Sequence, residues 1–128
     1  MLNEKIIEYF KKDFVKLEVQ NLHLSNLSNL TIVIPTFNRQ TYLIRQIMYL
    51  SNYSVKLIIV DGSNEKISEK FINELKLCKD FEYIHSIEMS YVERIKFATK
   101  KIKTNFAMCL AEDDFLVFTG VNKAIDIL

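Results

Sequence analysis

Glycine is scarce in this chain: among 128 residues there are only two, Gly62 and Gly120. A Walker A loop and a G-x-G-x-x-G fingerprint both need more glycines, because the backbone must approach phosphate closely at several points. Neither phosphate-binding loop can therefore be present. If the protein holds a phosphate group, it uses another device.

A cysteine pair for metal binding or redox chemistry is also missing, because Cys78 and Cys109 are too far apart for a C-x-x-C motif. We interpret both as reduced thiols, and Cys109 as a core residue of an apolar strand. No segment is long enough to span a membrane, and charged residues interrupt the N-terminus before a signal peptide could form. These absences predict a cytoplasmic protein and leave open a peripheral position at the inner membrane.

The charge balance excludes one class of partner. The net charge is +1, with 49% hydrophobic and 26% charged residues, which is typical of a soluble globular domain. No basic run is interleaved with aromatic residues, so we expect no nucleic-acid partner.

Apolar runs and turn residues alternate along the chain. Ile6, Phe10 and Phe14 recur at helical spacing and predict an amphipathic helix over 2–19, followed by a polar linker. We therefore interpret 1–29 as an N-terminal helix and linker. In the domain that follows, over 30–128, four apolar runs predict strands at 30–34, 56–60, 81–85 and 105–110.

A predicted helix follows each of these strands. The first two cover 42–50 and 65–77, the third opens on a capping box from Ser90 to Glu93, and Thr119 caps the last. This alternation predicts an α/β, Rossmann-like fold with a mostly parallel four-stranded sheet flanked by helices. Because the strands are apolar throughout, we expect both sheet faces to be covered.

Polar residues follow each predicted strand. They lie at 35–39, at 61–64, at Ser86 and Glu88, and at 112–114. In open parallel sheets ligands bind beyond the carboxyl ends of the strands, so we expect these four sets to converge on one crevice.

The acidic triplet Glu112, Asp113 and Asp114 stands out among them. Three consecutive carboxylates repel one another, and a divalent ion such as Mg²⁺ would relieve that repulsion while bridging a diphosphate. The alternative is a solvated acidic turn. The position of the triplet at a strand end, opposite Asp61, favours the metal.

Three further residues have both a functional and a structural interpretation. Asp61 could bind a base N–H or a ribose hydroxyl, or serve only the Asp-Gly turn. Arg94, in the first turn of the third predicted helix, could meet phosphate or base, or be a surface arginine. Arg39 is equally ambiguous.

Three segments together resemble family 2 glycosyltransferases. They are the opening strand and loop T-I-V-I-P-T-F-N-R at 31–39, the second strand L-I-I-V-D-G-S at 57–63, and L-A-E-D-D-F at 110–115, which is similar to the DxD region. The resemblance covers about 30–128. It implies the N-terminal half of a GT-A fold that binds a nucleotide-diphosphate sugar, commonly UDP-linked, with Mg²⁺ or Mn²⁺, and it leads us to expect the first and fourth strands to be adjacent.

The resemblance also implies roles for individual residues. Asp61 matches the base-binding aspartate, and Asp113 matches the last aspartate of DxD. Ala111 replaces the first aspartate of that motif, which Glu112 or Asp114 would have to compensate. The implied nucleotide-sugar ligands are Pro35, Thr36, Phe37, Arg39, Asp61, Arg94 and Glu112, and the implied metal ligands are Asp113 and Asp114.

The family's acceptor site and catalytic base lie in a second half, which we expect to begin beyond Leu128. No catalytic residue and no acceptor, saccharide or lipid-linked, can therefore be assigned. Two hypotheses remain open: a glycosyltransferase or its N-terminal portion, and a non-catalytic nucleotide-binding module.

Overall fold

The computed structural model describes residues 24–128. The helix expected over 2–19 lies outside the described residues. A short 3-10 turn at Leu27–Asn29 precedes four strands and four helices. In chain order these are β1 Leu30–Thr36, α1 Gln40–Leu50, β2 Lys56–Asp61, α2 Glu69–Lys76, β3 Glu82–His85, α3 Tyr91–Thr99, β4 Phe106–Cys109 and α4 Phe118–Ile127.

The strands form one parallel sheet in the order β3-β2-β1-β4. The expected α/β fold with a four-stranded parallel sheet is confirmed, and so is the pairing of the first and fourth strands. Thr36 lies opposite Asp61, which in turn lies opposite His85. The carboxyl ends of the three strands are therefore level, and the residues that follow them share one edge.

The main core lies on one face of the sheet, beneath α1, α2 and α4. Leu43, Ile47 and Leu50 of α1 are fully buried, as their spacing predicts. Leu27 is buried in the same core, so the described end of the segment interpreted as a linker packs against the domain. A smaller cluster on the other face packs beneath α3, around Ala98.

The edge strand β4 departs from the expectation of two covered faces. Its side chains alternate between half-buried and exposed, and Ala107 and Cys109 are exposed. Cys109 is therefore not a core residue, although it is a free thiol as expected. The physical reason is the position of α3, which packs over β1 and β2.

Of the two predicted helix caps, one is correct and the other is wrong. Ser90 and Glu93 form the predicted capping box: the Ser90 hydroxyl accepts from the Glu93 backbone N–H, and the Glu93 carboxylate accepts from that of Ser90 at 2.7 Å. Thr119, by contrast, lies inside α4, which begins at Phe118 after Val117. Phe118 is buried and stacks on Tyr53 with ring centroids 4.0 Å apart, and this anchors the start of the helix.

None of the helices within residues 24–128 is long and apolar enough to cross a bilayer.

Candidate functional site

Three loops meet beyond the carboxyl ends of the strands, and we call the space between them the crevice. They are the β1–α1 loop at 37–39, the β2–α2 loop at 62–68 and the β4–α4 loop at 110–117. Backbone hydrogen bonds extend the sheet into two of these loops, from Gly62 N–H to the Thr36 carbonyl at 2.9 Å and from Leu110 N–H to the Val33 carbonyl at 3.0 Å. Asp61 and Asp113 consequently lie at the same end of the sheet.

Asn38 joins the first two loops. Its backbone is left-handed, with φ of 53°, a conformation that asparagine tolerates better than most residues. In this position its N–H donates to the Ser63 hydroxyl at 2.7 Å, and its side-chain carbonyl accepts from the Asn64 N–H at 3.0 Å. Two hydrogen bonds therefore tie the β1–α1 loop to the β2–α2 loop. Asn38 belongs to the segment 35–39 expected in the crevice, but its pattern alone predicts no role for it.

Asp61 is fully buried and lies beneath the crevice floor. Its carboxylate accepts from the Ser63 backbone N–H at 2.8 Å, from the Ser63 hydroxyl and from the Tyr83 hydroxyl. Burial, reinforced by the hydrogen bond to Asp61, raises the pKa of Tyr83 well above its ordinary value, so this hydroxyl stays protonated as a donor. Asp61 thus holds Ser63 and Tyr83 in place beneath the crevice floor. A ligand could contact the Asp61 carboxylate only if the side chain of Ser63 or Tyr83 rotated away.

Arg94 projects from the first turn of α3 into the floor beside Gly62. It is not a surface arginine, because only 8% of it is exposed. Its Nη1 donates to the Met89 carbonyl at 2.7 Å, its Nε has no partner, and no carboxylate within residues 24–128 pairs with it. A Cβ at position 62 would lie 2.0 Å from Nη1. Glycine is therefore needed here for close approach to the guanidinium.

The acidic triplet is held by an arginine. The Nε of Arg39 lies 3.3 Å from the Glu112 carboxylate, and its Nη2 donates to Asp113 at 3.0 Å. Glu112 is buried, whereas Asp114 and Asp113 are exposed. The structure thus brings Arg39, Glu112 and Asp113 together, and the Asp114 carboxylate does not join them.

One side of α1 fixes the position of the acidic loop. The buried Gln46 donates from Nε2 to the Asp114 carbonyl, and the Tyr49 hydroxyl donates to the Leu116 carbonyl, both at 2.8 Å. The Arg45 guanidinium packs 5.1 Å from the centre of the Phe115 ring. Sequence reasoning missed these contacts because they come from a helix whose spacing was interpreted only in terms of the core.

The donor set fits a divalent ion that completes its coordination with ligand oxygens. One guanidinium bonds both Glu112 and Asp113, so the two carboxylates face a common cationic group. Mg²⁺ is commonly held by one or two carboxylates together with substrate phosphates. Within residues 24–128 no three potential metal-binding side chains form a closed protein cage. An ion would therefore have to displace Arg39 and take its remaining ligands from phosphate or water.

The other sequence-predicted residues lie around the crevice. Pro35 is half-buried, and Phe37 is exposed at the rim. Thr36 is buried, and its hydroxyl oxygen has no hydrogen-bond partner in the described part of the chain. His85 Nε2 lies 2.7 Å from the Ser63 carbonyl, on the strand farthest from β4, so it braces the floor away from the acidic loop.

Comparison with known proteins gives no match: no family model, no curated protein and no solved structure is similar to this chain.

Proposed function

We propose that the crevice binds a nucleotide-diphosphate sugar together with Mg²⁺ or Mn²⁺, and that the domain is the donor-binding part of a glycosyltransferase. The observation that carries the proposal is Arg94, a buried arginine without a carboxylate partner in the described chain. Burying a charge without a counter-ion costs several kcal/mol. A ligand anion at the crevice floor would supply the missing partner.

Arg39 supports the assignment of a diphosphate. Its guanidinium lies at the rim and is 43% exposed, so it can leave Glu112 and Asp113 without disturbing the core. A divalent ion on those carboxylates would neutralise the leaving diphosphate. Arg39, once released, would be free to contact phosphate with its planar fork of donors.

The β1–α1 loop also suits a nucleoside. Phe37 is 53% exposed and offers an aromatic face to a base, in the manner of stacking platforms for nucleotides. The unpartnered hydroxyl of Thr36 is buried next to it and could bond a ligand only after a local rearrangement of the loop. In this arrangement Asp61 is a positioning residue, which acts on the ligand through Ser63. We take uridine as the base because of the family resemblance.

A binding module without transfer activity is the second candidate. Three carboxylates of the crevice are already engaged: Asp61 with Ser63 and Tyr83, and Glu112 and Asp113 with Arg39. None of them is free to deprotonate an acceptor hydroxyl, a task that general-base catalysis requires. Of the acidic triplet, only Asp114 keeps an exposed carboxylate outside these contacts. With the other acids engaged, we expect the 128-residue chain to bind the donor without transferring sugar to any saccharide or lipid-linked acceptor. A cytoplasmic location is part of the same proposal, and a peripheral position at the inner membrane stays open.

Gly62→Ala tests the proposal without altering a charged group. The added Cβ must push the Arg94 guanidinium out of the floor, so we expect UDP affinity in the presence of Mn²⁺ to fall about tenfold, as in Arg94→Gln. Calorimetric titration with UDP measures it. Gly120→Ala is the matched control, because nothing lies within 4 Å of the Cβ it adds.

Two results of these titrations would contradict the proposal. Unchanged UDP binding in both Gly62→Ala and Arg94→Gln would refute the role of the buried arginine. Equal UDP affinity with and without Mn²⁺ would remove the metal from the proposal.

A further inference from the structure

A second concave site lies at the opposite end of the sheet from the crevice. It is a cavity of about 460 Å³ at the amino ends of the strands. Thr31 and Lys56 stand at the starts of β1 and β2, Phe81 immediately precedes β3, and the connection from α3 to β4 closes the cavity with Lys103 and Thr104. Its volume falls within the range of roughly 300–1,000 Å³ that is usual for small-molecule sites.

Positive charge exceeds negative charge in this cavity. Its lining contains four lysines and two carboxylates, namely Lys56, Lys76, Lys101, Lys103, Asp80 and Glu82. Lys101 pairs with Glu82 at 3.3 Å, and Lys76 packs over the Phe81 ring at 5.7 Å. Lys56 and Lys103 pair with no carboxylate in the described part of the chain.

Interactions with helix dipoles explain the positions of only two of these four lysines. The carbonyl end of a helix attracts cations, and Lys76 ends α2 while Lys101 follows α3. Lys56 is the first residue of β2, and Lys103 lies in the connection before β4, so neither completes a helix terminus. Two ammonium groups thus face one cavity without a structural partner.

The charge of Lys56 affects the pKa of one neighbouring lysine. Burial, and after it the charge of Lys56, lowers the pKa of Lys79 from 10.5 to about 8. Lys79 lies outside the cavity lining, with its ammonium donating to the Tyr53 carbonyl at 2.6 Å. Asp80 acts in the opposite direction and raises this pKa, so the repulsion between Lys56 and Lys79 is only partly compensated.

The wall that carries Lys103 is fixed in place. The Thr104 hydroxyl donates to the Phe106 carbonyl at 2.8 Å and lies 2.6 Å from the Thr31 hydroxyl. The Asn105 N–H donates to the Asn29 side chain at 3.1 Å. These contacts tie the α3–β4 connection to the start of β1. The position of Lys103 relative to Lys56 is therefore set before any ligand arrives, which lowers the entropic cost of binding.

We propose that this cavity is a binding site for a small organic phosphate. Lys56 and Lys103 supply the cations for the phosphate group. The buried side chains of Leu57 and Phe81 supply an apolar floor for the organic part. The site is separate from the crevice and does not depend on the function proposed there.

A nitrogen-15 NMR titration of the 128-residue chain with phenyl phosphate tests the proposal. We expect amide shifts at Lys56, Phe81 and Thr104, because these residues surround the cavity. Phenol, which has the same ring without the charge, should leave those amides unchanged. In the double variant Lys56→Gln/Lys103→Gln the affinity for phenyl phosphate should fall about tenfold or more.

Two matched variants complete the test. Lys56→Arg/Lys103→Arg keeps both charges and should retain binding, whereas Lys123→Gln on α4 removes a charge outside the cavity and should have no effect. The proposal is overturned if phenyl phosphate shifts no cavity amide, if its shifts are confined to Asn38, Gly62 and Arg94 in the crevice, or if the double glutamine variant binds as tightly as the wild type.

Discussion

The two ends of the sheet use charge in opposite ways. At the crevice the charged groups are largely buried and tied to neighbours: Asp61 accepts from Ser63 and Tyr83, and Glu112 bonds Arg39. At the cavity Lys56 and Lys103 are exposed and have no carboxylate partner within residues 24–128. Asp61 and Glu112 are thus held by bonds to neighbouring side chains, whereas Lys56 and Lys103 are not. The Asp61 and Glu112 carboxylates should therefore contribute to stability, and the Lys56 and Lys103 charges should not.

A comparison of the Asp61→Ala and Asp80→Ala variants is the strongest test of this difference between the two ends of the sheet. Removing the Asp61 carboxylate leaves the Ser63 N–H and the Tyr83 hydroxyl without their acceptor, so we expect the free energy of unfolding to fall by about 3 kcal/mol. Asp80 is exposed at the cavity, and its removal should change stability by at most about 0.5 kcal/mol. Urea unfolding measures both. Similar losses in the two variants would erase the distinction between the ends.

Arg39→Met sharpens the account of the acidic loop. Without the guanidinium, Glu112 and Asp113 lose their shared cation, and Mn²⁺ should bind about two- to fivefold more tightly. The effect is small because the ion pair is partly exposed and screened by solvent. Electron paramagnetic resonance of free Mn²⁺, in the absence of nucleotide, gives the affinity.

Arg45→Met provides the comparison for that experiment. Arg45 packs on Phe115 of the same loop but forms no ion pair with Glu112 or Asp113, so its removal should not tighten Mn²⁺ binding. Weaker or unchanged Mn²⁺ binding in Arg39→Met would show that the arginine does not stand in the place of the ion.

Lys79 gives a pH dependence of stability near the cavity end. Its folded pKa of about 8 lies below the ordinary 10.5 because of burial and of the charge of Lys56. Between those pH values the unfolded chain holds a proton that the folded chain has released, so the free energy of unfolding should rise with pH. Below pH 8 both states are protonated, and the cost of the buried charge is present in full.

The measurement is thermal unfolding from pH 7.5 to 10, for the wild type and for Lys79→Met. The scan stops at pH 10 because burial raises the pKa of Tyr49 to about 12, so ionisation of this tyrosine in the unfolded chain would begin to lower stability there. The variant should lack the wild-type rise. Parallel curves for the two proteins would exclude Lys79 as its source.

Local patterns in the sequence were enough to predict the parallel sheet. Short apolar runs bounded by turn residues, such as Leu57–Val60, favour strands covered on both faces, and the polar residues after them then share an edge. The capping box at Ser90 was equally predictable, because both of its partners lie within one turn. Cys109 was misplaced because β4 has as apolar a sequence as β1, and only the position of α3 decides which strand is left uncovered.

The sequence by itself determined the fold class, the order of the elements and the set of polar residues that meet in the crevice, because these follow from short-range periodicity and from the geometry of parallel strands. Only the tertiary structure decided which partner each of those residues bonds or packs against. Asp61 is engaged by Tyr83 from a neighbouring strand, Arg39 neutralises an acidic loop 74 positions later in the chain, and Arg94 packs against Gly62. The lysine-lined cavity belongs to the same category. Contacts between distant segments depend on packing distances that no local pattern encodes.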